Sequence, residues 1–374
     1  MSIIKQNALK VSELKRVVRQ LANNDLLGTV SVYISGPPGI GKTALFEQMA
    51  KEIEAGYEVF LTATMDPTDV CGVPMAMGDM TRFLPPERLM RLTNKYPSDV
   101  PTIATFEDLP ACSEQVFAAL FRLFHEREVG GYKIRDNVLM CATGNRSEDR
   151  AGAQELPTAL ANRFVHFEQL VDTEEWSQWA MMNGIDPMVI AFVSQTGGSK
   201  YLHKFDPNAG DPCFASPRSV AKASVLYKAF QGYDREMVAA LAGSCGEDWA
   251  NGFLTFHKLR EKMIPIKEIL ENPDKVKTPK EEEIDLTFVT ISNLVCAILD
   301  RLSDPNTDVR NKAVAAGLTY ACRLPAKDMG MKLAHNVLFV LKQKSEFANF
   351  FQSPIGIESL KATQKELGKF KFLD

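Results

Sequence analysis

A phosphate-binding loop is encoded near the start of this chain. Residues 36–43 read GPPGIGKT and fit the pattern G-x-x-x-x-G-K-[ST], between the apolar run Val30–Ile34 and a predicted helix, Ala44–Glu54. Glycines let such a loop turn its N–H groups toward an anion, and the helix start adds partial positive charge. Lys42 is suited to bridge the outer phosphates, and the Thr43 hydroxyl is suited to Mg²⁺. The residues predicted to bind the nucleotide are Gly36, Gly39, Ile40, Gly41, Lys42, Thr43 and Ala44.

Two carboxylates follow a later apolar run. Thr102–Phe106 has the β-branched character of a strand and is followed directly by Glu107 and Asp108. Acidic side chains at the carboxyl end of a parallel strand lie in the crevice beside a phosphate loop. One of the two can hold Mg²⁺ and the other can polarise an attacking water, whereas the alternative is an exposed acidic turn.

Three more polar residues follow in an order that suits a multi-subunit ATPase. Asn145 comes after the run Val138–Ala142, where a side-chain amide can orient the water near the γ-phosphate. Arg163 and Arg218 carry guanidinium groups, which are planar, permanently charged and able to donate two hydrogen bonds to a phosphate. Taken singly, each arginine would more often form a surface ion pair. The prediction therefore depends on their order and spacing after the loop.

The elements that must position these residues are an α/β core followed by helices. Four short apolar runs alternate with helical patterns, which predicts a parallel sheet covered on both faces. These runs are Val30–Ile34, Glu58–Thr62, Thr102–Phe106 and Val138–Ala142. After about Gln169 the strand signals stop. The predicted helices are then Thr173–Asn183, Pro187–Gln195, Ser216–Phe230, Arg235–Ala242 and Glu247–Lys262, with a last helical group over Ile284–Leu367 after a charged linker or exposed loop, Asn272–Glu283.

Composition narrows the class of protein. The 374 residues carry a formal net charge of −4 and a pI of about 5.9, which argues against coating of nucleic acid through bulk charge. The seven cysteines form no CxxC pair and suit free thiols in a reducing compartment. Residues 1–20 mix Lys and Arg with scattered apolar positions, which predicts an amphipathic helix rather than a signal peptide. We expect a cytoplasmic protein with no membrane partner and no metal beyond Mg²⁺.

The motifs together resemble those of the MoxR-like AAA+ ATPases, the branch often found with von Willebrand factor A domain partners. The segments that carry the resemblance are GPPGIGKT, FEDLP, ATGNRSEDR, LPTALANRFVH, EEWSQWA and FASPRS, together with DPTDVCGVP and LHKFDP. The resemblance covers most of the chain to about Pro279 and is weaker beyond. It implies an ATPase that uses ATP and Mg²⁺, forms a hexameric ring, and does remodelling or metal-insertion work on a protein partner.

The resemblance also implies a role for each site residue. The implied roles are Walker A for Lys42 and Thr43, Walker B for Glu107 and Asp108, sensor 1 for Asn145, the arginine finger acting on the neighbouring subunit for Arg163, and sensor 2 in the helical lid for Arg218. One departure is clear, because the family's Walker B pair is Asp-Glu and this chain has the reverse order. We therefore expect ATP to bind with normal strength and to be hydrolysed slowly.

Two insertions complete the resemblance. Glu128–Ile134 is predicted to be a hairpin with a Gly-Gly turn, and it resembles the pre-sensor hairpin of this clade, at about 128–137, whose tips face the pore. Tyr132 and Lys133, at its tip, are candidate substrate contacts, and an ordinary surface hairpin is the alternative. The segment of about 67–97 lies where the clade has a second insertion. Its methionines either form a soft partner-binding surface or fill the core, and they are Met75, Met77 and Met80.

The predicted organisation is an AAA+ core over residues 1–170, a helical lid over 171–265, and a linker with a C-terminal helical section over 266–374. The predicted function is an ATP-driven remodeller or assembler of a protein partner that works as a homo-oligomeric ring. A nucleic-acid motor or loader on the same core is the alternative, and a slowly hydrolysing assembly switch is a third possibility. The acidic balance and the lack of a recognisable nucleic-acid module favour the first.

Overall fold

The computed structural model describes residues 7–149, 154–195, 197–232 and 234–368. The chain divides near Asp172 into two compact units. The first comprises the chain up to Asp172 with Phe205–Gly210, and the second comprises Thr173–Lys204 with the chain from Asp211 onward. The predicted division of the helical part into a lid and a C-terminal section remains a prediction. Arg150, the last residue of the motif ATGNRSEDR, and residues 1–6 of the predicted amino-terminal helix lie outside the described residues.

The first unit contains a sheet of six strands, all of them parallel. The strand order is β1-β10-β2-β9-β6-β3, and two separate antiparallel hairpins, β4-β5 and β7-β8, accompany the sheet. The strands are β1 Ala8–Leu9, β2 Ser31–Ser35, β3 Gly56–Leu61, β4 Val73–Met77, β5 Met80–Leu84, β6 Thr102–Glu107, β7 Glu128–Val129, β8 Tyr132–Lys133, β9 Val138–Gly144 and β10 Phe164–Gln169. The helices of this unit are α1 Val11–Asn23, α2 Lys42–Glu52, α3 Thr68–Cys71, α4 Glu87–Met90, α5 Glu114–Glu126 and α6 Thr158–Ala161.

Burial on both faces explains why the central strands read as continuous apolar runs. One face packs against α1 and α2 through residues such as Leu14, Leu45 and Phe46. The other face packs against α5, whose amphipathic pattern contributes Leu120 and Phe124. The four strands predicted from these runs are confirmed to within a few residues of their ends.

The two strands at one side of the sheet, β10 and β1, were not predicted from the sequence. β10 was missed because only its two ends are buried and polar residues such as His166 and Glu168 interrupt the apolar ones, so that it forms no apolar run. The amino-terminal segment is not one helix, since Ala8–Leu9 pairs in parallel with β10 and helix α1 begins only at Val11. The prediction of a helix over residues 1–20 is therefore wrong at Ala8–Leu9. Two residues of strand are too few to leave a periodic signal.

The insertion of about 67–97 contains the hairpin β4-β5, whose ten strand residues are all exposed. Large apolar side chains share this exposure, and Met80 is the most exposed at 69 %. The suggestion that the methionines fill the core is wrong, because Met75 and Met77 are each more than half exposed. Gly72 at the base of the hairpin has no room for a side chain, since a Cβ there would lie 2.3 Å from the carbonyl oxygen of Leu84.

The predicted Gly-Gly hairpin is confirmed as β7-β8. Gly130 and Gly131 both have positive φ, 57° and 85°, which is the requirement of a two-residue type I′ turn. The two glycines therefore form the tip, and Tyr132 and Lys133 form the strand that follows it, which corrects their predicted place at the tip. A Cβ at Gly130 would lie 2.6 Å from Cγ of Pro85, so the tip packs against the residue that follows β5.

The second unit is helical. Its core forms around α8, which is apolar on nearly all sides, and α14 packs along it. The helices are α7 Thr173–Met182, α8 Pro187–Ser194, α9 Ser199–Leu202, α10 Pro217–Ala229, α11 Asp234–Cys245, α12 Glu247–His257, α13 Ile266–Glu271, α14 Ile284–Arg301, α15 Thr307–Arg323, α16 Lys327–Gln343, α17 Phe347–Gln352 and α18 Pro354–Leu367. Across the described part of the chain, none of the helices combines the length and apolar character needed to cross a membrane.

Candidate nucleotide-binding site

The loop between β2 and α2 has the backbone shape of an anion cradle. Gly41 has φ 92°, a left-handed conformation that side chains disfavour, and it caps the amino terminus of α2. Its carbonyl accepts the N–H of Leu45 at 3.0 Å, so the helix begins directly at Lys42. This geometry leaves the first N–H groups of α2 facing the loop, where the helix dipole favours a negative charge.

Lys42 and Asn145 meet beside this loop. The ammonium of Lys42 donates to the carbonyls of Gly36 and Pro37, at 2.8 and 3.0 Å, and to Oδ1 of Asn145 at 2.9 Å. The Lys42 side chain is only 8 % exposed, so its position is fixed by these contacts. Because β9 lies next to β2 in the sheet, the residue after β9 is carried to the phosphate loop. Two residues predicted to act on the γ-phosphate are therefore neighbours.

Glu107 and Asp108 lie toward different faces of the sheet. Glu107 ends β6 near Tyr57, whose pKa is raised to about 12 by burial and, to a smaller extent, by the Glu107 charge. The Tyr57 hydroxyl donates to the carbonyl of Thr43 at 3.3 Å, so Glu107 lies on the side of the phosphate-loop helix. Asp108 instead acts on Tyr33, whose pKa is raised by burial and then by the Asp108 charge.

The backbone at Asp108 suits an aspartate at this position. Asp108 has φ 51° and ψ 40°, and its carbonyl accepts the N–H of Ala111 at 2.8 Å in a short 3₁₀ turn. Left-handed conformation costs most L-residues about 1–2 kcal/mol, and aspartate is among the few that adopt it readily. A glutamate at this position would be strained, so the local turn favours the shorter acid.

Arg163 lies at the amino-terminal ends of the strands, whereas the phosphate loop lies at their carboxyl ends. It directly precedes Phe164, which pairs with Ser31, the first residue of β2, whereas the loop follows Ser35. Five residue steps along the strand separate Arg163 from the start of the loop by roughly 17 Å, and an arginine side chain spans on the order of 7 Å. The guanidinium lies over the ring of Phe121 at 5.2 Å, and its Nε has no hydrogen-bond partner among the described residues. It cannot reach the nucleotide site of its own chain.

Arg218 belongs to the second unit. It is an exposed residue in the first turn of α10, where Ser216 caps the helix through the N–H of Ser219. A positive charge at this end opposes the helix dipole, and no acidic residue in the first turn offsets it. Within the ranges that the structure describes, Arg218 forms no hydrogen bond or ion pair through its side chain. Its predicted role as sensor 2 remains a prediction.

Gln169 is a site residue that the sequence analysis missed. It ends β10, is 2 % exposed, and donates from Nε2 to the carbonyl of Ile40 at 3.0 Å. A Cβ on Gly36 would also lie 3.2 Å from the Gln169 carbonyl oxygen, so the strand end and the loop are closely packed. The rule that identified Glu107 and Asn145, a polar residue at the carboxyl end of a strand, would have found Gln169 had β10 been recognised.

Arg146 is a second residue that was missed. Its guanidinium donates to Oδ1 of Asp149 at 2.7 Å and to Oε1 of Glu168 at 2.9 Å, and Asp149 is only 3 % exposed. The hydrogen bonds to Asp149 raise the pKa of Arg146, with Glu168 adding to the effect. Because Arg146 directly follows Asn145, this ion-pair network ties the strand end that presents Asn145 to β10.

Replacing Arg146 by methionine is expected to lower the free energy of unfolding by about 3 kcal/mol, because two largely buried carboxylates would lose their common partner. Urea denaturation would measure the change. The matched control is Arg122→Met, since Arg122 pairs with Glu126 on the exposed face of α5 and should cost less than about 0.5 kcal/mol. Equal losses in the two variants would contradict the structural role of the Arg146 network.

The geometry defines the class of this core. An all-parallel sheet has the phosphate-loop strand β2 between β9 and β10, and it is followed by helices. This is the AAA+ P-loop fold, as the sequence analysis predicted. Residues 31–164 match the AAA domain of the dynein-related subfamily.

The solved structures that the chain resembles are only distantly similar to it. The chain is similar to Thermotoga maritima RuvB, described as a Holliday junction branch migration motor, with 12 % identity and a TM-score of 0.37 over 71 % of this chain and 75 % of that chain. A point mutant of the same Thermotoga maritima protein gives 12 % identity and a TM-score of 0.38 over the same shares. At these values the similarity carries no information on function. No curated protein matches the chain.

Proposed function

We propose that this chain is an ATPase that assembles with copies of itself into a ring, hexameric by its resemblance to MoxR-like proteins, and that remodels or assembles a protein partner. The observation that carries the proposal is the place of Arg163. Its guanidinium lies about one strand length from the phosphate loop of its own chain, yet it has an unpartnered buried Nε. Such a group suits the nucleotide of a neighbouring copy.

ATP is the ligand that fits the loop. Lys42 is held where it can contact the β- and γ-phosphates, and Asn145 beside it can orient the attacking water. Thr43 and Glu107 lie on the same side of the sheet and offer the hydroxyl and carboxylate oxygens that Mg²⁺ prefers. Bound there, Mg²⁺ would neutralise charge on the phosphates. By resemblance, Arg218 is proposed to act as sensor 2 in the helical lid.

Hydrolysis is proposed to be slow. Asp108 would polarise the water, but its side chain is one methylene shorter than the usual glutamate at this position. A misplacement on the order of 1 Å can cost about a hundredfold in rate. The left-handed backbone at Asp108 also changes the direction of the side chain, and this supports low turnover rather than a fast motor.

A protein partner is favoured over nucleic acid by the surface of β4-β5. The hairpin exposes Met75, Met80 and Phe83, each at least half exposed, and such apolar side chains suit a protein surface rather than a phosphate backbone. By resemblance, a von Willebrand factor A domain protein is the partner class. Tyr132 and Lys133 are proposed to line the channel, although the Lys133 ammonium is held by Glu128 at 3.2 Å.

The proposed function predicts that ATP drives assembly and that Asp108→Asn assembles without hydrolysing. Asparagine tolerates the left-handed backbone, so the variant removes the charge and keeps the turn. We expect ring-sized particles with ATP for both proteins, turnover below the roughly 1–10³ s⁻¹ of typical enzymes for the unaltered chain, and at least about a hundredfold less for Asp108→Asn. Light scattering with phosphate release measures both.

The control is Asp99→Asn, which alters an exposed aspartate outside the site and should change neither quantity. A chain that stays monomeric with ATP and still hydrolyses it at full rate would contradict the ring. Stimulation of phosphate release by single-stranded or duplex DNA would contradict the protein partner and support the nucleic-acid motor.

A further inference from the structure

The second unit contains a cavity of about 510 Å³, a size suited to a small ligand. Four helical elements surround it. Its wall is formed by α7, the end of α8 with the turn that follows, α14 and α16. Apolar side chains form much of the surface, and they are Met181, Val193, Phe288, Ile291 and Met331. None of the residues assigned to the nucleotide site belongs to this wall.

Lys332 is the distinctive polar group of the cavity. Its ammonium lies 4.6 Å from the centre of the Phe288 ring, a contact between a cation and an aromatic face. Among the residues that the structure describes, Lys332 makes no hydrogen bond or ion pair. The residue is partly buried, so the three N–H donors of its ammonium are available to an acceptor that enters the cavity.

Two serine hydroxyls and one side-chain amide of the wall already make hydrogen bonds. The Ser177 hydroxyl donates to the carbonyl of Thr173 at 2.7 Å, so the Ser194 hydroxyl donates to Ser177 at 2.8 Å. Nε2 of Gln195 donates to the carbonyl of Phe192 at 2.9 Å. The two serine hydroxyls therefore have no free hydrogen to offer, whereas Gln195 keeps a second N–H and Lys332 offers its ammonium to an entering acceptor.

The charges around the cavity limit the ligand. Glu174 of α7 faces His335 of α16 at 3.8 Å, Asp328 is exposed on α16, and the wall residues from α8 and α14 carry no charge. One inner cation opposed by two outer carboxylates favours a single negative charge and disfavours a phosphate dianion. From this arrangement we propose that the cavity binds a small monocarboxylate with an apolar body, its carboxylate on Lys332 and its body against Phe288 and Ile291.

Burial supports the same role for Lys332. It lowers the pKa of the ammonium, and the nearby Glu174 charge only partly opposes this. A bound carboxylate stabilises the charged form, so the affinity falls as the pH rises through the lowered pKa of Lys332. The other titratable groups that face the cavity are Glu174, Asp328 and His335.

The test uses the full chain without nucleotide, with 4-phenylbutyrate as the probe and 4-phenylbutanamide as its neutral match. Ligand-observed NMR is expected to give a dissociation constant on the order of millimolar for the acid and at least about tenfold weaker binding for the amide. Lys332→Met should weaken binding of the acid at least about tenfold. Lys342→Met, on the exposed end of the same helix, should leave it unchanged.

A variant that is expected to strengthen binding shows that a loss of binding in Lys332→Met is not due to misfolding. Asp328→Asn removes an exposed carboxylate at the cavity and should strengthen binding of the acid about twofold to threefold, since a repulsion is lost. Inorganic phosphate should not displace the acid. Equal binding of acid and amide, an unchanged affinity in Lys332→Met, or displacement by phosphate would each overturn the proposal. Because no ATP is present, failure here is independent of the ATPase proposal.

Discussion

Replacement of Arg163 by alanine is expected to lower the rate of ATP hydrolysis about 10³-fold while leaving ATP affinity nearly unchanged. An arginine supplied by a neighbouring subunit stabilises charge on the transferring phosphoryl group, and its removal costs at least this much in known phosphoryl-transfer enzymes. The guanidinium lies over Phe121 at the end of the strands opposite the phosphate loop, so it contributes nothing to the binding of ATP by its own chain. Phosphate release and calorimetry measure the two quantities.

Complementation distinguishes action across a subunit boundary from a structural role. Mixing Arg163→Ala with Lys42→Ala protein, each inactive alone, should restore part of the turnover, because some interfaces then pair an intact phosphate loop with an intact arginine. Arg122→Ala alters an exposed arginine on α5 and should keep full turnover. If the mixture stays as inactive as its components, Arg163 does not act in trans.

Replacement of Lys42 by alanine is expected to weaken the binding of Mg-ATP at least about tenfold. The ammonium is held beside the loop by two loop carbonyls and Asn145, so the position that it would share with the β- and γ-phosphates is already set. An interaction between an ammonium and phosphate oxygens is charge-assisted and contributes about 1.5–3 kcal/mol. Calorimetry of Mg-ATP binding gives the affinity directly.

The matched control for this variant is Lys51→Ala. Lys51 lies on the same helix, is exposed, and pairs only with Glu47 one turn earlier, so its loss should not change the affinity measurably. Thermal unfolding of both variants checks that α2 remains folded. Unchanged Mg-ATP affinity in Lys42→Ala would show that the loop does not bind the phosphates as proposed.

The sequence alone located the candidate site residues that are contiguous in the chain. The phosphate loop could be predicted because its glycines, lysine and following helix act within a few residues of each other. The central strands were predictable because burial on both faces leaves a continuous apolar run. The hairpin at Gly130 and Gly131 followed from a turn whose positive φ angles only glycine adopts freely.

The tertiary structure determines which distant residues lie next to each other. Lys42 and Asn145 are 103 positions apart, and only the adjacency of β2 and β9 brings their side chains to 2.9 Å. The parallel pairing of β10 with β2 likewise brings Gln169 to the phosphate loop and keeps Arg163 at the opposite end of the strands. No local pattern contains this information, since the order of strands in a sheet is set by long-range packing.

Exposure was also decided by the fold rather than by residue type. The methionines of β4-β5 are apolar enough for a core, yet the structure places them on a hairpin with no covering element among the described residues. Lys332 reads in sequence as an ordinary surface lysine of α16, and the packing of α7, α8 and α14 partly buries it and places its ammonium in the wall of a cavity. A residue's type indicates where it is stable, but only the arrangement of distant segments determines what surrounds it.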